Sequence, residues 1–129
     1  MFLHIDPANG QPIYDQVVRQ VMFAVASGAL RTGDFVPSVR ELARQLAINP
    51  NTVARAYRQL RDDGILESVR GTGLAVAKGA ATRCRKARLT LVGRRLHDVL
   101  QEAKRSRLTR TELQSLIDQE LNTLFREEQ

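Results

Sequence analysis

In PSVRELARQLAINPNTVARAYRQL, residues 37–60, guanidinium groups recur at helical spacing. Arg40 and Arg44 stand four apart in the first half, and Asn51, Arg55 and Arg58 follow at intervals of four and three in the second. Asn, Thr and Arg near a helix start can read base edges or hold phosphates. A bidentate Arg on guanine discriminates by about 1–3 kcal/mol. A helix opening at Asn49 also offers free N–H groups and a positive dipole end to an anion. Catalysis finds no comparable set of residues. There is no nucleophile–base pair, phosphate loop or metal-ligand cluster in the sequence. His4 and His97 are its only histidines, and RGTG at 70–73 is too short for a nucleotide fingerprint. The expectation is a binding protein that is not an enzyme and uses no cofactor or metal.

An Arg stripe on one amphipathic helix is usually a solvated face, so the surrounding signals decide. Ser38 with Glu41 reads as a capping box. Val39, Leu42, Ala43 and Leu46 then form a buried stripe, with Arg40 and Arg44 turned elsewhere. Ala47-Ile48-Asn49 is a three-residue turn. Asn49 suits an N-cap and Pro50 a first helical position. The next helix buries Val53, Ala56, Tyr57 and Leu60 and places Asn51, Arg55, Arg58 and Asp62 opposite. Tyr57 is expected in the core, its hydroxyl reaching the backbone. Gly64 closes that helix. Ile65–Val69 and Leu74–Val76 read as strands joined by the tight turn Arg70-Gly71-Thr72-Gly73. Two helices at this spacing followed by a hairpin predict a winged helix-turn-helix, with the second helix in the major groove of DNA. Gly71 lets the wing backbone approach DNA, and Arg70 is placed for the minor groove or a phosphate.

Upstream, Pro7 and Asn9-Gly10 mark an irregular start. Pro12 opens a first helix that runs to Ser27-Gly28, and its apolar arc is wide enough to be covered on both sides. Residues 28–37 form a turn-rich connector in which Phe35-Val36 adds a short strand. Downstream, KGAATR at 78–83 reads as a linker. A fourth helix is expected from about Lys86 to Ser106, with Val92, Leu96, Val99, Leu100 and Ala103 on one face. Thr109 with Glu112 is a second capping box. It opens a fifth helix carrying Leu113, Leu116, Ile117, Leu121 and Leu124. The fold expected is mainly α with a small β-wing: a winged helix-turn-helix domain over 1–77, a linker over 78–83 and a helical dimerisation hairpin over 84–129. About 40 residues bury little alone. Val92, Leu96, Val99, Leu100, Leu113, Leu116, Ile117, Leu121 and Leu124 are therefore assigned to a homodimer interface.

The 129 residues carry a net charge of +6, distributed as +1 over 1–77, +9 over 78–110 and −4 over 111–129. A basic balance points to a polyanion. The basic segment Arg83, Arg85, Lys86 and Arg88 fits either a solvated face or a phosphate-facing one. Cys84 is the sole cysteine, so no intramolecular disulfide forms. Its arginine neighbours would lower its pKa, but an incidental thiol is the simpler reading. No apolar run approaches the roughly 18 residues of a membrane span, and a basic helix without aromatic anchors fits a membrane surface poorly.

PIYDQV at 12–17, SGALRTGD at 27–34, PSVRELARQL at 37–46, NPNTVARAYRQLRDDGIL at 49–66 and RGTG at 70–73 occur in order at fixed distances. Together they resemble the winged-helix domain of the GntR family of bacterial transcription regulators. The NPNTVARAY form and the short C-terminal part resemble its YtrA subfamily. The resemblance implies a cytoplasmic, nucleoid-associated regulator, generally a repressor, that binds an inverted-repeat DNA operator as a homodimer. It implies DNA contacts at Arg40, Asn49, Asn51, Thr52, Arg70 and Gly71; the residue pattern adds Arg44, Arg55 and Arg58 as phosphate contacts. A non-specific architectural DNA binder is the competing reading. Larger relatives carry an effector domain. The residues after the wing are too few to enclose a pocket of typical ligand size, about 300–1,000 Å³, which leaves any effector unknown. Three departures stand out. Ala47 replaces a frequent glycine, and the turn is expected to avoid the left-handed region there. Phe35 replaces a polar residue, and Leu74-Ala75 suggests a weak return strand.

Overall fold

Val17, Val21 and Val25 recur once per turn along α1 (Ile13–Ser27) and are almost fully enclosed. They build the centre of the first of two compact units, Met1–Leu89 and Thr90–Gln129. The computed structural model describes residues 3–8 and 10–126. The first unit continues with α2 (Val39–Leu46), α3 (Pro50–Asp62), β1 (Leu66–Val69) and β2 (Gly73–Val76). α3 packs on α1, α2 and β1 and buries Val53, Ala56, Tyr57 and Leu60.

The caps explain where the helices begin and end. Ser38 Oγ accepts the Glu41 N–H at 3.1 Å; the reciprocal bond of a full capping box is not made among the described residues. Ala47 lies in the left-handed region, with φ 55° and ψ 46°, contrary to the expectation that the turn avoids it. The reason is the chain reversal. The Ala47 N–H bonds back to Ala43 and Arg44, and the Ile48 N–H reaches the Ala43 carbonyl at 3.0 Å. This closes α2 in time for Asn49 to cap α3.

β1 and β2 pair antiparallel from Leu66 opposite Val76 to Val69 opposite Gly73. The return strand is better supported than its sequence suggests. Phe35 bridges Ala75, the Val36 N–H donates to Leu74 O at 3.0 Å, and the Val76 N–H donates to Asp34 O at 2.8 Å. β2 is thus bonded on both edges.

Segment 3–8 is irregular, as expected, and is tied to α1 by two glutamines one turn apart. Gln16, only 3% exposed, accepts the Asp6 N–H at 2.9 Å and donates to Asp6 O at 2.8 Å. Gln20 pairs in the same two-way manner with the backbone of His4. Of the expected Asn9-Gly10 turn, Asn9 lies outside the described residues. The expected linker 78–83 departs from the sequence reading: it is largely helix. α4 (Ala80–Arg105) starts immediately after the turn at Lys78-Gly79, and Ala80 and Cys84 are both 0% exposed within the first unit. The small residues that read as a linker are what let a helix seat closely.

The second unit holds the rest of α4 and α5 (Arg110–Leu124). Thr109 and Glu112 form both limbs of their capping box, at 2.9 and 3.1 Å. The Thr109 backbone N–H, then its hydroxyl, hold the Glu112 carboxyl below its ordinary pKa. No residue of α5 is buried.

Candidate nucleic-acid interface

α2 turns Leu42 and Ala43 into the core, which leaves Arg40 and Arg44 exposed one turn apart. α3 is held on its other face by four buried side chains, so Asn51, Arg55 and Arg58 are exposed and Thr52 is half-buried. Asn49 is exposed but occupied: its Oδ1 accepts the Asn51 N–H at 2.8 Å and caps α3. Only its amide nitrogen is left to donate outward. Arg70 and Gly71 form the exposed tip of the wing. Gly71 has φ 79°, which a side chain would oppose, and nothing lies within 4 Å of where its Cβ would stand.

The expected stripe on α3 divides into two edges. Arg55 stacks over the Tyr14 ring of α1, 4.3 Å from its centroid. Tyr14 donates its hydroxyl to Gln59 Oε1 at 3.1 Å, and Gln59 Nε2 donates to the Asp63 carboxylate. This chain of contacts positions Arg55 on the α1 side. On the other edge Arg58 and Arg61 face a cleft beside the wing. Arg61 is missing from the sequence-based set because it falls off the Asn51–Arg55–Arg58 row; its signal was the three-residue spacing from Arg58. Arg40, Arg44, Arg58, Arg61 and Arg70 make no hydrogen bond or ion pair with other side chains among the described residues. Their guanidinium groups are therefore free of direct ion-pair partners among the described residues.

Other groups are committed internally. Tyr57 donates its hydroxyl to the Pro37 carbonyl at 2.8 Å, as its sequence position suggested. Burial, reinforced by the Glu41 charge, pushes its pKa well above 10.0. Arg83 donates to the Gly64 carbonyl at 3.1 Å and ties α4 to the end of α3, which commits one of its donors internally. Arg85 turns to Thr82 Oγ1 at 3.4 Å. With both neighbours engaged, burial raises the Cys84 pKa, the reverse of the lowering expected from its arginines. No cluster able to hold a metal ion occurs among the described residues. No described helix is long and apolar enough to cross a membrane.

Residues 13–76 match the family model described as bacterial regulatory proteins, gntR family. The HTH-type transcriptional repressor YtrA of Bacillus subtilis (strain 168) is 37% identical over 101 residues, 78% of each chain. The chain belongs to the GntR family. Among solved GntR-family structures, a transcriptional regulator from Listeria monocytogenes superposes with TM-score 0.69 at 28% identity, covering 89% of this chain and 98% of that one. The DNA-binding domain of AraR in complex with operator ORX1 superposes with TM-score 0.50 at 27% identity, covering 60% of this chain and 93% of that one. As a GntR protein the chain is a DNA-binding transcription regulator, and its relatives are regulators, not enzymes. The winged helix-turn-helix and the C-terminal helices expected from the sequence agree with these GntR neighbours.

Proposed function

We propose that the chain represses transcription as a homodimer on an inverted-repeat operator. The observation that carries this is the set of exposed arginines without ion-pair partners on α2, α3 and the wing, placed around the exposed start of α3. In this reading α3 enters the major groove. Arg40, Asn51 and Thr52 meet base edges, and Asn49 assists through its amide nitrogen. Arg44 and Arg58 hold phosphates; Arg55, steadied by Tyr14, does the same on the opposite edge. Arg70 and the Gly71 backbone approach the adjacent minor groove. Two such modules on a duplex stand about 34–36 Å apart, or a multiple of it. They would block a promoter sterically, on the nucleoid in the cytoplasm. The relative named as a repressor and the AraR–operator complex support this reading by similarity.

Dimerisation rests on the second unit. Leu96 is 51% exposed, Val99 59% and Leu124 71%, and Val92, Leu116, Ile117 and Leu121 are also exposed. Leu100 and Leu113 are half-buried. With Leu108 and Ile117 they line an open groove of about 680 Å³ between α4 and α5. Uncovered aliphatic rows of this extent seek a partner, and a second copy supplies a matching one. The competing architectural reading draws on the +9 surplus over 78–110. The test is stoichiometry and footprint on the protein's own promoter. Two chains per duplex with a two-fold symmetric footprint support the proposal; one chain per duplex, or uniform protection, contradicts it.

A further inference from the structure

The cleft between α3 and the wing is lined by Val39, Ala54, Tyr57, Arg58, Arg61 and Leu74 and holds about 240 Å³. That is below the roughly 300–1,000 Å³ of a small-molecule pocket but ample for a phosphate group. Its lining combines the side chains of Val39, Ala54, Leu74 and Tyr57 with those of Arg58 and Arg61. Arg58 and Arg61 lie three apart on one helix, where like charges repel. No carboxylate pairs with them directly: Asp63 accepts from Gln59, and Asp62 bonds to neither arginine. Arg55 and Arg83, by contrast, each have an internal partner. Two neighbouring cations with no ion-pair partner, beside the side chains of Val39, Ala54 and Leu74, offer a site for one anion, and Arg grips phosphate oxygens through parallel N–H bonds.

The position of the cleft selects the anion. Val39 begins α2 next to Arg40, Ala54 lies on α3, and Leu74 lies on the return strand of the wing. If α3 enters one groove and the wing the next, a backbone strand must pass between them. We propose that this cleft is a phosphodiester clamp, in which Arg61 beside Arg58 holds the DNA strand that separates the two grooves. Val39 and Leu74 then pack against its sugars. The clamp rests on the DNA-binding reading above and adds Arg61 as a contact that positions the duplex without reading its sequence.

The experiment uses the full chain, wild type with Arg61→Ala, Arg61→Gln and Arg61→Lys, on the promoter fragment and a random duplex across a salt series. The expected result is that Arg61→Ala and Arg61→Gln weaken both DNAs by a similar factor, roughly tenfold, and reduce the salt slope by about 1. Arg61→Lys keeps the slope. Replacing single phosphates by neutral methylphosphonates should abolish the Arg61→Ala effect at one phosphate per half-site. If Arg61→Ala and Arg61→Gln both match wild-type affinity and slope while the wild type still prefers its promoter, the clamp is overturned and the DNA reading stands. A wild type that binds no duplex overturns both. If inorganic phosphate raises the thermal midpoint of the wild type but not of Arg61→Ala, with DNA slopes unchanged, the cleft takes a small anion and the DNA assignment fails.

Discussion

Ala47→Gly should make the protein more stable, although Gly usually destabilises what it replaces. Ala47 sits at φ 55° and ψ 46° in the turn between α2 and α3. An L-residue with a Cβ in that region carries a penalty of about 1–2 kcal/mol that Gly avoids. Against this, Gly widens the unfolded ensemble by about 0.4–1 kcal/mol. The difference leaves a net stabilisation of about 0.5–1 kcal/mol. For a unit of 60–100 residues this raises the thermal midpoint by about 2–8 °C. Thermal unfolding of the full chain at fixed concentration reads it directly, because oligomerisation makes the midpoint concentration-dependent. Ala47→Val is the opposing control, since a β-branched side chain at positive φ is worse than Ala. Ala47 is exposed, and its backbone N–H bonds do not depend on the side chain. DNA affinity should therefore not change. A midpoint that falls or stays level for Ala47→Gly would refute the strain argument.

Four further outcomes are expected. Arg40→Ala should lose about 1–3 kcal/mol of promoter binding if its contact is bidentate, with little effect on random DNA; equal loss on both in a competition assay rules out base reading. Leu96→Asp should raise the dissociation constant of the proposed dimer by one to two orders of magnitude, from about 1.5–3 kcal/mol of lost burial, as read by sedimentation; an unchanged self-association moves the interface away from α4. Tyr57 has a raised pKa, so its neutral form is favoured in the folded state. Its contribution is full below pH 10.0 and is lost as pH rises toward the folded value. Wild-type stability in denaturant titrations should thus decline above that pH, and Tyr57→Phe should flatten the decline; identical slopes would contradict it. Finally, Gly64→Ala would bring a Cβ within 2.2 Å of Arg83 Nη1 at φ +76°. It should destabilise the protein by about 1 kcal/mol or more, and a neutral effect in the same titrations would show that Arg83 yields freely.

The parts of this protein that were legible in the sequence are those written in local signals. Ser38, Asn49 and Thr109 cap where their side chains suggested, and the buried residues of α3 are those of its apolar row. Gly71 stands at the wing turn its motif implied, with positive φ. What escaped depends on contacts distant in sequence. Gln16 and Gln20 look like ordinary polar positions until the backbone of Asp6 and His4 lies beside them. Lys78–Arg83 looks like a linker until Ala80 and Cys84 meet the core. Cys84 illustrates competing effects: adjacent arginines argue for a reactive thiolate, but Arg83 and Arg85 bond elsewhere and burial prevails. Arg61 escaped because the row drawn on α3 was centred on Asn51, whereas the wing approaches from one side.

The most direct test of the central claim is a mobility-shift competition between the protein's own promoter and a random duplex at physiological salt. Sequence-specific recognition by α2, α3 and the wing predicts that the promoter wins by about a thousandfold or more, with the preference lost in Arg40→Ala. Equal competition by the random duplex on a promoter that carries a symmetric repeat would contradict it, and would leave only a backbone-binding protein whose affinity follows charge.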